Sequence, residues 1–270
     1  MQTAVLGLAR TASRYRWTVC ALLFFATVIN YMDRQILGLL APLLQHDIGW
    51  SQVQYGRIVI AFSAFYAVGL LCFGRIVDWL GTRISYALAM LIWSIAAMLH
   101  AAVGSVTGFA MVRALLGIGE GGNFPAAIKT TAEWFPRRER ALATGIFNSG
   151  ANIGAVFAPA IIPPLALAFG WRSAFVIIGA LGIVWLAVWF AFYRSAEPRS
   201  HDDDLEEARD EVEALDAANA NARAPGWGVL IRKRQTWAFL IGKFLTDPVW
   251  WFYLFWLPKW LNESRGMDMQ

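Results

Sequence analysis

Seven separated apolar runs constrain this chain more than any other feature, because each is long enough, at about 20 residues, to cross the roughly 30 Å hydrocarbon layer of a bilayer as a helix. They occupy roughly residues 17–40, 52–77, 84–100, 107–130, 141–165, 173–193 and 236–260. Composition agrees: 58% of the residues are hydrophobic and 16% charged, too apolar and too charge-poor for a soluble domain of this size. Arg10, Arg14 and Arg16 lead directly into the first run, with no short apolar region and cleavage site before it, so that helix is its own insertion signal.

Orientation follows from the basic residues in short loops. Arg10, Arg14 and Arg16, then Arg75 and Arg83, then Arg137, Arg138 and Arg140, then Arg194, Arg199 and Arg232-Lys233-Arg234 fall on alternate connections. Loops 45–51 and 101–106 lack Lys and Arg, and the fifth-to-sixth loop has only Arg172. The expected arrangement is a multi-pass protein of the cell (inner) membrane with a cytoplasmic N-terminus.

The expected organisation is a six-helix transmembrane half over residues 1–193, a cytoplasmic linker over 194–235, and a seventh transmembrane helix with the start of an external loop over 236–270. Ten of the nineteen acidic residues lie between positions 197 and 216. Within the linker, Leu205, Ala208, Val212 and Leu215 recur at spacings of three and four, which predicts a short amphipathic helix. Six spans, an acidic loop and one more span read as a larger design whose second half is incomplete.

Charges inside the spans stand out against this background. Asn30, Tyr31, Asp33 and Arg34 interrupt the first run, and Arg113 and Glu120 lie seven residues apart in the fourth. Each ion at a helix centre costs roughly 2.5 to 3.5 kcal/mol on insertion scales, so a chain that keeps them is using them. Seven residues is nearly two helical turns, which puts Arg113 and Glu120 on one face. The expectation is that these helices meet and line one polar cavity. Cys20 and Cys72 both fall inside apolar spans and predict no disulfide. No His or Cys cluster suggests a metal, and no nucleophile with an adjacent base or phosphate loop suggests an enzyme. No cofactor and no nucleic-acid partner are expected.

The second-to-third connection reads Gly74-Arg75-Ile76-Val77-Asp78-Trp79-Leu80-Gly81-Thr82-Arg83. A glycine there permits close helix approach, and the acid and base can pair with each other or with neighbouring helix ends. With Gly74, Asp78, Gly81 and Arg83 in place, this stretch resembles the signature of the major facilitator superfamily, and Arg113, Gly117 and Gly119 resemble its fourth-helix pattern. Asn30-Tyr31-Met32-Asp33-Arg34, residues 119–125 (GEGGNFP), 147–154 (FNSGANIG) and 246–253 (TDPVWWFY) further resemble the anion:cation symporters, the hexuronate branch in particular. The fold implied is an all-α membrane protein: the N-terminal six-helix half of that superfamily, a central cytoplasmic loop and the seventh transmembrane helix. The resemblance implies a six-plus-six helix carrier working by a rocker switch. Its implied function is proton-coupled symport of a small organic anion, a hexuronate such as galacturonate or glucuronate. The alternatives are symport of another sugar acid (an aldonate or glucarate) or a non-transporting receptor or scaffold on the same fold. Its implied partners are that sugar acid, protons, the lipid bilayer and the missing C-terminal half.

On this reading Asp33 and Glu120 are the proton carriers, since burial favours their neutral form while a neighbouring guanidinium favours the charged one. The alternative is two permanent salt bridges joining the first and fourth helices. Arg34 and Arg113 are the anion clamps, because a guanidinium stays charged and its planar fork matches a carboxylate. Which arginine does which is left open. Tyr31, Tyr66, Asn148, Asn152 and Tyr253 offer the donor and acceptor mix that sugar hydroxyls need, with packing as the alternative for Tyr66 and Tyr253. Gly150 and Gly154 read as a helix-packing pair. Trp250 and Trp251 read either as a sugar-stacking pair or as interfacial aromatics. Lys243 and Asp247 read as a local pair one turn apart, with a substrate or gating role as the alternative.

Overall fold

The computed structural model describes residues 2–193 and 227–266, which are helical with no strand among them. In chain order they form α1 (Gln2–Leu39), α2 (Ala41–Ile48), α3 (Gln52–Leu99), a short turn of 3₁₀ helix (His100–Ala102), α4 (Val106–Glu120), α5 (Asn123–Trp134), α6 (Arg137–Phe169) and α7 (Trp171–Phe192). From residue 227 come α8 (Trp227–Arg232), α9 (Arg234–Phe255) and α10 (Leu257–Arg265). The amphipathic helix expected at 205–215 lies outside the described residues.

Among the described residues four helices are long and apolar enough to cross a membrane: α1 from Tyr15, α3 with its 3₁₀ extension, α6 and α7. These and two glycine-dependent features account for six passes. Gly81 sits at φ 74°, ψ 167° inside α3, a conformation that a side chain rarely tolerates. Gly122 packs against both Phe73 and Ala89, residues equally far from Gly81 on either side, so α3 doubles back there and makes two passes. Gly121 (φ −58°, ψ −21°) and Gly122 (φ −77°, ψ −19°) keep right-handed helical angles, so α4 and α5 run on as one. The seventh apolar run is α9, which carries Lys243 and Asp247 as an exposed ion pair at 2.7 Å.

Helix starts follow local chemistry. Ser51 caps α3 with a reciprocal box: its hydroxyl accepts from the Gln54 amide at 3.3 Å, and the Gln54 side chain accepts from the Ser51 amide at 2.8 Å. Ser105 caps α4 by accepting from the Gly108 amide at 3.1 Å. At the same end, the Trp171 Nε1–H donates to Asp47 at 2.8 Å, tying α7 to α2. That bond, with a smaller contribution from His46, holds the Asp47 carboxyl below its ordinary pKa.

Packing within lipid has little hydrophobic drive between helices and relies on close approach. A Cβ placed on Gly117 would lie 2.5 Å from the Phe62 carbonyl oxygen, and one on Gly121 would lie 2.7 Å from backbone atoms of Gly69 and Leu70. Helices α3 and α4 therefore meet backbone to backbone. Gly150 and Gly154 do the same for α6 on α1, at 2.6 Å from the Phe24 and Val28 carbonyl oxygens, as their spacing predicts. Since backbone has no rotamer with which to yield, Gly117→Val is expected to cost at least the ~1 to 3 kcal/mol typical of overpacking. A thermal melt of the detergent-solubilised protein measures it, and an unchanged midpoint refutes this contact.

The 74–83 stretch departs from one expectation. Gly74 faces outward with no atom within 4 Å of an added Cβ, so it supports no close approach in this structure. Asp78 pairs with neither Arg83 nor a helix end of its own. It meets Lys129 of α5 at 2.7 Å, and the same ammonium donates to the Val77 carbonyl oxygen at 3.2 Å. Arg83 instead lies 5.7 Å over the Phe190 ring. Cys20 and Cys72 are free thiols, the first buried and the second exposed.

Candidate functional site

Two helices deliver the four buried charges to one place. Asp33 and Arg34 come from the middle of α1, Arg113 and Glu120 from α4, and each is at most 1% exposed. The helical spacing read from the sequence brings Arg113 and Glu120 to the same side, and the close contact at Gly117 holds α4 against α3. Glu120 accepts from Arg34 twice through Oε2, from Nε at 2.9 Å and from Nη2 at 2.8 Å. Arg34 also donates from Nη2 to Asn30 Oδ1 at 3.2 Å.

Rings complete the surroundings of this guanidinium. Tyr31 lies 4.8 Å from it, Tyr66 4.7 Å, Phe62 5.4 Å and Trp251 of α9 5.2 Å. A desolvated cation gains from each ring face within about 6 Å. Arg34 is thus committed on every side, to a carboxylate, an amide and four aromatic rings.

Arg113 contrasts with it. Among the described residues, its buried Nε, Nη1 and Nη2 make no hydrogen bond and its one ring neighbour in range is Phe62 at 5.9 Å. Neither carboxylate oxygen of Asp33 makes a hydrogen bond either, although Asp33 lies close enough to Arg113 and Glu120 for their charges to act on it. Of the two permanent salt bridges weighed from the sequence, the structure forms one, Arg34 to Glu120. The other pair of opposite charges stands apart.

The remaining candidates divide. Tyr31 and Tyr66 join the cage around Arg34. Asn148 and Asn152 lie on the exposed face of α6, opposite the glycines that pack on α1. Tyr253 is 55% exposed and edge-on to Phe252, so these three are not gathered around the charges. Trp250 meets Tyr31 edge-on at 6.4 Å. Phe62 sits beneath both arginines, yet as one phenylalanine among eighteen it carries no sequence signal. Lys129 was equally silent, because its partner Asp78 is 51 positions away.

The arrangement is a charge-balanced, largely aromatic cluster holding one engaged and one unengaged guanidinium. The Major Facilitator Superfamily profile matches residues 23–270. The chain is 33% identical over 258 residues to the hexuronate transporter of Escherichia coli K12, covering 94% of this chain and 59% of that protein. It is 33% identical over 259 residues to the galacturonate transporter of Dickeya chrysanthemi, covering 94% of this chain and 74% of that protein. In structure it is similar to a bacterial homologue of the human lysosomal transporter Spinster in an inward-facing, occupied conformation, with TM-score 0.75, 22% identity, and coverage of 94% and 56%. With its family profile spanning nearly its whole length and its helices arranged as in that solved carrier, this chain belongs to the Major Facilitator Superfamily.

Proposed function

We propose that this chain forms the substrate-binding wall of a secondary active transporter that moves a small organic anion together with protons, the anion being a hexuronate such as galacturonate or glucuronate. The observation that carries the reading is the charge arithmetic of the buried cluster. Two guanidinium groups and two carboxylates sum to zero when both acids are ionised. Protonating one carboxylate leaves a single positive charge, which a monovalent carboxylate substrate cancels. Proton and anion together keep a low-dielectric site neutral, whereas either alone leaves an uncompensated ion at a cost of several kcal/mol.

In this mechanism Arg113 receives the substrate carboxylate, because its donors are uncommitted, while Arg34 is the resident counter-ion of Glu120. Glu120 and Asp33 hold the protons. Tyr31 and Tyr66 present hydroxyls beside the bound sugar, and Asn148, Asn152 and Tyr253 meet it from the α6 and α9 sides when the cleft closes around it. Gly81 and the Asp78–Lys129 pair shape the connection that changes as the cleft alternates, with Gly74 and Arg83 beside it. A scaffold or receptor on the same fold has no use for four buried charges.

The chain spans 59% of the length of the E. coli hexuronate transporter, and the described helices supply one wall of a two-walled cleft. We place them in a bacterial inner membrane with α1 entering from the cytoplasm and residues 194–235 on the cytoplasmic side. The test joins this chain to the remaining C-terminal helices of the E. coli relative, in cells lacking their own uronate uptake. Saturable accumulation of labelled galacturonate or glucuronate, abolished by a protonophore, is expected. A chimera that inserts and is monodisperse but accumulates neither uronate refutes the substrate class.

A further inference from the structure

Helix α9 touches the bundle through one end. From Arg234 to Val249 its residues are exposed or nearly so, and Leu254 and Phe255 are its buried residues. There the contact is close: a Cβ on Gly38 of α1 would lie 3.0 Å from the Leu254 carbonyl oxygen and 3.4 Å from the Phe255 Cα. The cleft between α1 and α9 is thus closed at the end occupied by α2 and α10 and splayed at the opposite end.

Two residues stand at the closed end with chemistry that packing alone does not require. Tyr55 of α3 is fully buried and donates its hydroxyl to the Phe255 carbonyl oxygen at 2.7 Å. Lys259 of α10 is 1% exposed, with its ammonium 4.6 Å over the Tyr55 ring. Trp256 meets that ring edge-on at 5.1 Å and Trp50 flanks it at 6.2 Å. One tyrosine therefore grips the C-terminal end of α9 through its oxygen and α10 through its π face. A cation so enclosed gains far more from a ring than an exposed one does.

This grip is continuous with the charge cluster. Phe255 stacks on Trp251 with centroids 5.5 Å apart and planes 14° apart, and Trp251 is one of the four rings around Arg34. Phe62, beneath both arginines, meets Phe255 edge-on at 6.0 Å. We propose that Tyr55 and Lys259 form a latch that holds the α2–α10 end of the cleft shut, joined to the buried charges through the Trp251–Phe255 stack. Opening that end separates α10 from α3, which breaks the Tyr55 hydrogen bond and uncovers the Lys259 charge together.

The latch rests on the alternating-access reading, so its test is read without substrate or uptake. Spin labels at His46→Cys on α2 and Ser264→Cys on α10, with Cys20 and Cys72 replaced by Ala, report the separation of that end by pulsed electron resonance in nanodiscs. The unaltered latch gives one dominant short distance. Lys259→Met is expected to raise the open-to-closed ratio about tenfold, equivalent to ~1.4 kcal/mol. Lys259→Arg keeps a cation over the ring and restores the short distance. Tyr55→Phe, which keeps the ring and loses the hydroxyl, shifts the ratio a few-fold in the same direction.

Unchanged distances in both Lys259→Met and Tyr55→Phe overturn the latch, as does Lys259→Arg behaving like Lys259→Met. If Lys259→Met does not yield monodisperse protein, the Tyr55→Phe and Lys259→Arg distances decide alone. A latch that responds as expected in a chain whose chimera takes up no uronate overturns the substrate class and leaves the latch standing.

Discussion

Glu120→Gln is expected to abolish concentrative uptake in the chimera while leaving exchange of labelled for unlabelled uronate intact. Glutamine keeps the length of the side chain and an oxygen that can accept from Arg34 Nε, now 2.9 Å from the carboxylate. It cannot ionise, so the cluster keeps one positive charge in excess whenever Asp33 is ionised. Substrate binds to that excess charge in both orientations, and the empty site no longer resets by losing a proton. For one coupled proton, each pH unit of imposed gradient is worth about tenfold in accumulation. The variant is therefore expected to bring internal and external uronate to equality where the unsubstituted chimera concentrates it about tenfold per unit. Undiminished accumulation rules the role out. Loss of exchange as well points instead to a structural ion pair, whose disruption leaves Arg34 buried without its carboxylate at a cost of about 3 to 5 kcal/mol.

Arg113→Gln is expected to weaken uronate binding by a factor of tens to thousands, the equivalent of ~2 to 5 kcal/mol for losing one partner of a buried charge pair. The argument turns on the contrast between the arginines. Arg34 holds Glu120, Asn30 and four rings, so receiving a substrate requires it to give something up, whereas Arg113 has three buried donors without acceptors. Competition against labelled galacturonate measures the effect, and the neutral parent hexose serves as the internal standard. The unsubstituted site should discriminate strongly between uronate and hexose, and the Arg113→Gln site weakly. Equal competition by glucose and glucuronate at the unsubstituted site would sink the anion assignment. An Arg113→Gln site that still discriminates transfers the carboxylate to Arg34.

The charges were legible in the sequence because a bilayer makes them conspicuous. Asp33, Arg34, Arg113 and Glu120 stand out against apolar neighbours by cost alone, and helical periodicity puts the two α4 residues on one face. Pairing was not legible. Arg34 and Glu120 are 86 positions apart, and neither spacing nor composition distinguishes that pairing from Arg34 alone or Arg113 with Glu120. The tertiary packing, which sets Arg34 and Glu120 2.9 Å apart, decides it. The aromatic cage is hidden for a related reason: in a chain with 14% aromatic residues the few rings that matter look like all the others. Gly81 and Gly74 show the same limit from the other side. Both fit one motif and both have open space around them, yet of the two Gly81 alone takes a positive φ, a distinction that depends on where the helix turns.

The glycine seams described for α3 with α4 and for α1 with α6 have a mechanical consequence. Where backbones touch, no side-chain cushion can compress or slide, so each pair behaves as a plank glued along its length. Arg113 and Glu120 ride on one plank and Asp33 and Arg34 on the other. Among the buried charges, the Arg34–Glu120 pair is the pin between them. On the proposed mechanism, a proton drawn onto Glu120 would loosen that pin without bending either plank, so that a single chemical event at the centre changes the angle between two stiff bodies.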